Sequence, residues 1–437
     1  MENYDIAIIG GGVGGLFTAY TLSLYTDLKI ALFEKGFPYG ERIARSKSDL
    51  PLNLCGMGGA GTLGGGKLCG IPASGGIWKK TWPMMAGWET FINHLPLDKR
   101  ASDTLVRTRG FMLSKNAHCE EIVCKSYPSA LLLMPQMHDL IDYFMRSLVT
   151  NNVEIYTNSE LTGIAKHKGK FTLRFSENGL SRTVVANKII VATGRSGAGK
   201  IDILLSHLSV FSKAASPDLG IRIEFPRLQS QAFSSIGEDV KLKMSIGGID
   251  LRTFCTCSGG ELTRIELGKQ VYYDGHFSDI TTDYVNVGLM SRDRKLKGIS
   301  TALSYCSAFE REAKDLTLCD FIKYGRHLIQ HKFCTKFGDS IDAIVQFAQI
   351  LHRKGYLAGT LSSYQVALPA IDGYNPVFAT SIDFESSCAD LYIIGDAAGI
   401  SRGYVQSLWS SWCCASSIAR QACGLNLNQM DLLSHAV

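Results

Sequence analysis

Residues 5–35, DIAIIGGGVGGLFTAYTLSLYTDLKIALFEK, contain the pattern that decides the fold. The apolar run at 6–9 predicts a buried strand, residues 16–24 predict a helix, and residues 29–35 predict a second buried strand. Two strands connected through a helix form a β-α-β unit, and such a unit implies a parallel sheet. The chain therefore begins with a Rossmann-like element.

A G-x-G-x-x-G motif lies between the first strand and the helix. Gly10 permits the tight turn, Gly12 lets the backbone approach a pyrophosphate, and Gly15 allows the helix to pack closely on the strand. The N-terminus of the helix supplies unpaired N–H groups to phosphates. Glu34, at the end of the second strand, is placed to bind ribose hydroxyls. The predicted dinucleotide contacts in this unit are Gly10, Gly12, Gly14, Gly15, Glu34 and Lys35.

The composition is that of a globular protein with more than one core. The chain has 437 residues, of which 46% are hydrophobic and 19% charged, and its net charge is +5. The chain contains no run of five like charges, which would suggest a nucleic-acid surface. It also contains no run of 18 apolar residues, which would suggest a membrane span. Thirteen irregularly spaced cysteines without a leader favour reduced thiols in the cytoplasm. The expected partner is a small-molecule substrate, and a homodimer is compatible with the sequence.

The first sheet is predicted to be interrupted and then completed near the C-terminus. Strand patterns at 153–158, 170–176 and 183–194 lead back to it, whereas alternating segments from about 203 to 365 predict an antiparallel sheet with helices near 300–314 and 340–353. The expected fold is α/β, with an FAD-binding domain at 1–202 and 366–437 and an inserted substrate domain at 203–365. A closing helix is expected at 404–422.

FAD is favoured over NAD by two later segments, IIVATG (189–194) and LYIIGDAAGISRG (391–403). The second segment delivers Asp396 to a ribitol hydroxyl and directs the start of a helix at the flavin N1/O2 edge. The FAD contacts predicted outside the first unit and the glycine loop are Leu161, Ala192, Thr193, Gly194, Gly395, Asp396, Gly403, Tyr404 and Val405. A second G-x-G-x-x-G is absent. Two alternatives stay open: NAD(P)H binds transiently as electron donor, or electrons come from the substrate or another protein.

Four segments carry a resemblance to a known family: GGAGTLGGGKL (58–68), LGIRIE (219–224), RTFCTCSGG (252–260) and GDAAGISRGYVQS (395–407). In these segments the chain resembles the FAD-dependent dehydrogenase (NAD(FAD)-utilising dehydrogenase) family of the glutathione-reductase-like flavoproteins. The resemblance implies a flavin redox role and no particular reaction. The chain departs from the family pattern at Thr256 and Ser258, where Met and Pro are usual, and at Gly64 and Gly65, where a Ser-Asp pair is usual.

The glycine loop at 58–68 is expected to run past the pyrophosphate, with contacts from Gly59, Ala60, Gly61, Thr62 and Lys67. Arg42 is expected to neutralise a phosphate or cover the adenine, and a solvated arginine is the alternative. Arg402 is a candidate partner of the flavin or of an anionic substrate. Tyr404, His276 and Cys257 are candidates for proton transfer.

Cys255 and Cys257 are expected to point to one side of a strand, with a strained geometry for any disulfide between them. Three roles stay open for them: a structural strand and turn, a thiol that contacts substrate or flavin, and a redox or metal role. No metal site is predicted, since no zinc spacing is present. The expected function is an FAD-dependent oxidoreductase that transfers hydride at flavin N5. The alternative is an accessory or RNA-modifying flavoprotein.

Overall fold

The structure, a computed structural model, describes residues 1–45, 52–63, 65–74, 76–107, 117–118, 122–125, 127–235, 239–277, 281–309 and 313–424. Gly64, singled out above, lies outside these residues. In chain order the strands are β1 (Glu2–Ile9), β2 (Ile30–Phe33), β3 (Leu52–Asn53), β4 (Gly66–Cys69), β5 (Ala117–His118), β6 (Val123–Lys125), β7 (Ser129–Leu132), β8 (Glu154–Tyr156), β9 (Ser159–His167), β10 (Lys170–Glu177), β11 (Leu180–Val191), β12 (Ser212–Lys213), β13 (Asp218–Pro226), β14 (Lys241–Ile246), β15 (Ile249–Ser258), β16 (Glu261–Leu267), β17 (Gln270–His276), β18 (Tyr284–Arg292), β19 (Ala313–Thr317), β20 (Gln365–Asp372), β21 (Val377–Phe378) and β22 (Leu391–Ile393).

The helices connect and cover two main sheets. In chain order they are α1 (Val13–Tyr25), α2 (Tyr39–Arg45), α3 (Gly76–Thr81), α4 (Trp88–Asn93), α5 (Lys99–Arg107), α6 (Met134–Thr150), α7 (Ile201–Leu205), α8 (Gln231–Ser234), α9 (Ile299–Cys306), α10 (Leu318–Tyr324), α11 (His331–Arg353) and α12 (Tyr404–Cys423). Within the described ranges, no helix has both the length and the apolar composition needed to cross a membrane.

The first sheet contains the predicted β-α-β unit. Strands β8, β2, β1 and β11 run parallel in that order, and β22 pairs in parallel with the end of β11. The other half of β11 pairs with β10, which continues antiparallel to β9. Strand β2 and the apolar end of β1 are buried throughout, so both faces of this sheet are covered. The sheet is thus completed by a strand that follows β11 by about 200 residues, as the sequence predicts.

Helices α1 and α12 pack against each other on this sheet. The Phe17 ring of α1 lies 6.5 Å from the Trp412 ring of α12 and 5.5 Å from the Phe144 ring of α6. Ser411 of α12 donates a hydrogen bond of 2.9 Å to the carbonyl oxygen of Gly14. The N-terminal ends of α1 and α12 therefore approach the same edge of the sheet.

The second sheet is antiparallel, in the order β19-β20-β13-β18-β15-β14-β6-β5. Helix α11 covers it with apolar residues such as Phe337, Ile341, Ile344 and Phe347. The predicted α/β class with an inserted antiparallel sheet is confirmed. Two details differ from expectation: β5 and β6 come from the chain before residue 203, and β20 continues beyond residue 365. Their pairing depends on distant partners that local pattern does not reveal.

Candidate functional site

The carboxyl ends of four parallel strands meet at a cavity of about 770 Å³. Gly10 follows β1, Glu34 follows β2, Ala192 follows β11, and Gly395 follows β22, and all four residues line this cavity. The backbone pairing continues past the strand ends, since Ala192 N donates to the Ile9 carbonyl oxygen at 2.8 Å. Open α/β sheets bind ligands at this edge. The second sheet covers the other side of the cavity.

The glycines of the N-terminal motif have different roles. Gly10 has a φ of +112°, and a Cβ there would lie 2.5 Å from the Ala192 carbonyl oxygen. A Cβ on Gly15 would lie 1.9 Å from the Gly10 carbonyl oxygen. A Cβ on Gly12 would have only the Gly59 Cα nearby, at 3.7 Å. The fold itself therefore requires Gly10 and Gly15, whereas Gly12 leaves space at the cavity wall for a ligand.

The carboxylate of Glu34 organises the loops around this space. It is 6% exposed and accepts hydrogen bonds from the backbone N–H groups of Gly11 (2.7 Å), Gly36 (2.8 Å) and Gly56 (2.8 Å). A carboxylate has about four acceptor positions, so one remains for a ribose hydroxyl. Glu34 both positions the glycine loop and presents an acceptor at the cavity.

A smaller pocket of about 50 Å³ adjoins the main cavity and shares Gly10, Glu34 and Thr193 with it. Lys35 and Leu161 line this smaller pocket and not the main one. Both residues were expected among the cofactor contacts. Their position beside the end of β2 suits the adenosine half of a dinucleotide.

Arg42 lies beneath the glycine loop and does not line the cavity. Its Nη1 donates to the carbonyl oxygens of Gly56 (2.9 Å), Met57 (3.2 Å) and Gly59 (2.6 Å), and burial lowers its pKa to about 10. Thr62 is also fully buried and donates to the Met57 carbonyl oxygen at 2.7 Å. The alternative of a solvated Arg42 is wrong, because its side chain is 4% exposed. Direct phosphate contacts from Arg42 and Thr62 stay predictions, and the contacts seen hold the loop in shape.

Lys67 lines the cavity but is directed at the second sheet. Its ammonium donates to Asp239 Oδ1 at 3.1 Å and to the Thr256 carbonyl oxygen. Burial opposes the charged form, but the Asp239 carboxylate outweighs it and raises the pKa of Lys67. Lys67 therefore connects the glycine loop to β15 in addition to its predicted role.

Asp396 follows β22 and faces the cavity from a tight turn. Its Oδ1 atom is buried and has no hydrogen-bond partner among the described residues, while its Oδ2 lies 3.8 Å from Arg195 Nε. Burial raises the pKa of Asp396 to about 6, although Arg195 acts to lower it. An unpaired buried acceptor is costly unless a ligand satisfies it. The arrangement therefore predicts a hydroxyl donor in the cavity beside Oδ1.

The N-terminus of α12 approaches the same region. Gly403 caps the helix with a φ of +115°, and Gly403, Tyr404 and Ser407 line the cavity. Burial raises the pKa of Tyr404 to about 12, so its phenol is a neutral donor at neutral pH. Arg402 also lines the cavity, but its Nη1 pairs with Asp372 Oδ2 at 2.9 Å. A 20-residue helix directs its partial positive charge at this wall.

The predicted site residues divide into two groups. Those that line the cavity or the adjoining pocket are Gly10, Gly12, Gly14, Glu34, Lys35, Gly59, Ala60, Lys67, Leu161, Ala192, Thr193, Gly194, His276, Gly395, Asp396, Arg402, Gly403 and Tyr404. Those that do not are Gly15, Arg42, Gly61, Thr62, Cys257 and Val405.

The two cysteines of β15 lie at a bulge and differ in their access to the cavity. The pairing of β15 with β18 shifts register between Phe254 and Cys257, and Cys255 has a φ of +43°. This bulge turns Cys255 to the cavity and leaves Cys257 1% exposed behind it. The two sulfur atoms are nevertheless in contact, so the expected placement of the cysteines side by side agrees with the structure, although a bulge and not regular alternation produces it. Of the pair, Cys255 is therefore the thiol that lines the cavity.

The bulge also brings the two sulfur atoms to 3.7 Å. A hydrogen bond from the Cys257 thiol lowers the pKa of Cys255, and the cations of Lys67, Arg222 and Lys241 add to this effect. The same hydrogen bond and burial raise the pKa of Cys257. The pair thus consists of a thiolate at the cavity and a neutral thiol behind it, and low-pKa thiols are the reactive ones.

Iodoacetamide at pH 7 is expected to alkylate Cys255 well before Cys257 in the flavin-free protein. Cys257→Ala removes the thiol donor and should slow Cys255 alkylation at the same pH, because the Cys255 pKa rises. Peptide mass spectrometry gives both rates, with the exposed Cys319 as the internal reference. Equal Cys255 rates in the two proteins would contradict this electrostatic account.

Several charged residues at the cavity were not predicted. Arg195 pairs with Asp274 at 3.3 Å, and Asp274 also pairs with the buried Arg222 at 2.9 Å. Arg195 directly follows the segment IIVATG (189–194), in which the sequence predicted Ala192, Thr193 and Gly194 as cofactor contacts but not the arginine. Asp274 and Arg222 lie on β17 and β13, and no local motif connects these strands. The described residues contain no group of three or more metal-ligating side chains suited to a metal ion.

No family model and no curated protein matches the sequence. Solved structures to which this chain is similar include a p-nitrophenol 4-monooxygenase from Pseudomonas putida, with 13% identity over 99% of this chain and 84% of that one and a TM-score of 0.42. A flavoprotein/dehydrogenase from Cytophaga hutchinsonii matches with 10% identity over 97% and 80% and a TM-score of 0.45. A geranylgeranyl bacteriochlorophyll reductase-like protein from Thermoplasma acidophilum matches with 12% identity over 97% and 79% and a TM-score of 0.43. These likenesses do not bear on the reaction of this chain.

Proposed function

We propose that the protein is an FAD-dependent oxidoreductase that acts on a small organic molecule. The observation that carries the proposal is the buried, unpartnered Oδ1 of Asp396 at the end of β22. It lies in one cavity with Gly12 and Glu34, which follow β1 and β2. A dinucleotide cofactor with a polyol chain needs acceptors at both places, and the residues present fit FAD in this respect.

The described residues support a division of roles around the cofactor. The N-terminus of α1 faces the pyrophosphate, Glu34 accepts from a ribose hydroxyl, and Asp396 accepts from the ribitol. The N-terminus of α12 stabilises negative charge at the far end of the cavity, next to Tyr404. FAD, when bound, supplies hydride transfer at its N5 atom. Tyr404 is a neutral proton donor at this wall. Membership of the FAD-dependent dehydrogenase family is part of the same proposal.

The decisive experiment is an anaerobic spectral titration of the purified yellow protein with NADH, NADPH and a panel of small metabolites. We expect at least one of these compounds to bleach the flavin within seconds to minutes. A protein that contains no flavin and does not take up FAD would overturn the cofactor proposal. A flavin that only dithionite reduces would favour the accessory role instead.

Asp396→Ala is expected to weaken FAD binding about 10- to 100-fold, because it removes a hydrogen bond to a charged acceptor. Flavin fluorescence on titration of the flavin-free protein measures this affinity. Asp342→Ala, which removes an exposed carboxylate on α11, is the matched control and should bind as the wild type does. In the wild type, affinity should fall as the pH is lowered through about 6, because Asp396 then becomes protonated. An unchanged affinity in Asp396→Ala would remove the central support of the proposal.

A further inference from the structure

Four basic side chains lie together where the second sheet faces the cavity: Lys125 of β6, Lys241 and Lys243 of β14, and Arg252 of β15, here called the cationic corner. The register places Lys241 directly opposite Lys125 and Lys243 directly opposite Arg252. All four line the cavity, so both pairs are on one face of the sheet. Like charges directly opposite each other destabilise a sheet. Two such pairs side by side need negative charge nearby to offset their repulsion.

The nearby carboxylates offset only part of the positive charge of the cationic corner. Asp239 pairs with Lys241 at 3.2 Å and also with Lys67. Arg252 pairs with Asp218 and Asp372, and both of these acids are shared with Arg402. Asp218 in addition accepts from Arg292 at 2.6 Å. Within this group seven cations, counting Lys67, Arg292 and Arg402 with the cationic corner, face three carboxylates.

The ammonium groups of Lys125 and Lys243 make no hydrogen bond or ion pair with any described residue. Lys243 is half-buried, and four cations surround it: Lys125 on β6, Lys241 on its own strand, Arg252 on β15 and Arg292 on β18. Burial and these neighbours lower the pKa of Lys243 to about 8. A partly desolvated ammonium without a counter-ion is rare in a folded protein unless a ligand supplies the negative charge.

We propose that the cationic corner binds a small ligand with two or more anionic oxygen groups, carboxylates or phosphates, and so sets the substrate class of the enzyme. That the ligand is the substrate or the electron donor rests on the proposed function, whereas the binding itself does not. Arginine and lysine are the usual partners of carboxylates and phosphates, and enclosure in a cavity strengthens each contact. The surplus of positive charge demands more than one negative charge on the ligand.

The test is calorimetric titration of the full-length protein, as purified, with citrate, inorganic pyrophosphate, NADH and NADPH at low ionic strength. We expect at least one of these probes to bind, and Lys243→Met to weaken that binding about 10-fold or more. Lys323→Met, an exposed lysine of α10, is the control and should leave binding unchanged. Binding of citrate but not of pyrophosphate would identify a carboxylate ligand. Binding of pyrophosphate but not of citrate would identify a phosphate ligand. NADPH bound more tightly than NADH would identify the 2′-phosphate of an electron donor.

Thermal unfolding separates this role from a structural one. Without anions, Lys243→Met should melt at a higher temperature than the wild type, because the substitution relieves repulsion. The probe that binds should raise the melting temperature of the wild type more than that of the variant, at ionic strength matched with sodium chloride. A lower melting temperature for the variant together with unchanged probe binding would overturn the proposal. Normal flavin content without binding of any probe would refute the cationic corner alone, and absent flavin with probe binding would refute the cofactor proposal alone.

Discussion

Gly12→Ala is expected to remove most of the bound flavin and to leave the fold intact. Gly12 has φ and ψ values of −73° and 177°, which alanine adopts without strain. The new Cβ would be in ordinary contact, at 3.7 Å, with the Gly59 Cα. It would, however, occupy the space into which a pyrophosphate has to fit. Overpacking by one methyl group costs about 1–3 kcal/mol, which weakens FAD binding about 10- to 100-fold.

The measurement is the flavin-to-protein ratio after purification, together with the Kd of FAD for the flavin-free protein. Denaturation of flavin-free Gly12→Ala should give a free energy of unfolding within about 1 kcal/mol of the wild type. Gly15→Ala is the opposite control, because its Cβ would lie 1.9 Å from the Gly10 carbonyl oxygen and would disturb the fold itself. Wild-type flavin affinity in Gly12→Ala would show that the pyrophosphate does not approach α1.

Arg222→Ala is expected to lower the free energy of unfolding by about 3–5 kcal/mol, the usual result of removing one partner from a buried ion pair. Arg222 is 1% exposed and donates to Asp274 Oδ1 (2.9 Å), the Cys255 carbonyl oxygen (2.8 Å) and Asn286 Oδ1 (2.5 Å). Its loss leaves the Cys255 carbonyl oxygen and Asn286 Oδ1 without this donor, and Asp274 loses one of its two arginine partners. Because it holds the Cys255 carbonyl, the bulge next to the cavity should also loosen.

Chemical denaturation of flavin-free protein, followed by far-ultraviolet circular dichroism, measures the change. Arg326→Ala is the control: Arg326 pairs with Asp342 at the surface, where solvent screens the interaction, so no measurable change is expected. Faster alkylation of Cys257 in Arg222→Ala would report the loosened bulge. A denaturation midpoint like that of the wild type would mean that water or rearranged side chains replace the guanidinium.

The sequence predicts the part of the site that depends on short-range geometry. Gly10, Gly12 and Glu34 follow from the requirements of one turn and the ends of two strands, and Asp396 follows from the strand pattern at 391–393, which belongs to the same sheet. Each of these features can be identified from its own segment of about 30 residues or fewer. Arg42 has carbonyl partners that the sequence does not indicate, because the path of the glycine loop sets them, and its phosphate contact stays a prediction.

The other half of the cavity depends on register between strands that are far apart in the chain. Lys125 and Lys241 are neighbours only because β6 pairs with β14 across more than 100 residues. The position of Cys255 depends on a bulge in β15, and the alternation of apolar and polar residues in this strand does not predict the bulge. Sequence pattern therefore indicated a flavin site but not the charge of the wall opposite it.

The late return of the chain to the first sheet has a consequence for biosynthesis. Strands β1, β2 and β11 leave the ribosome about 200 residues before β22 and α12, and chain elongation at about 5–20 residues per second makes this interval about 10–40 s. During that time the N-terminal glycines have neither Asp396 nor the packing of Ser411 against Gly14. The nascent polypeptide therefore exposes the apolar edge of β11 until β22 has been synthesised. Chaperones that shield such edges should therefore increase the yield of folded protein.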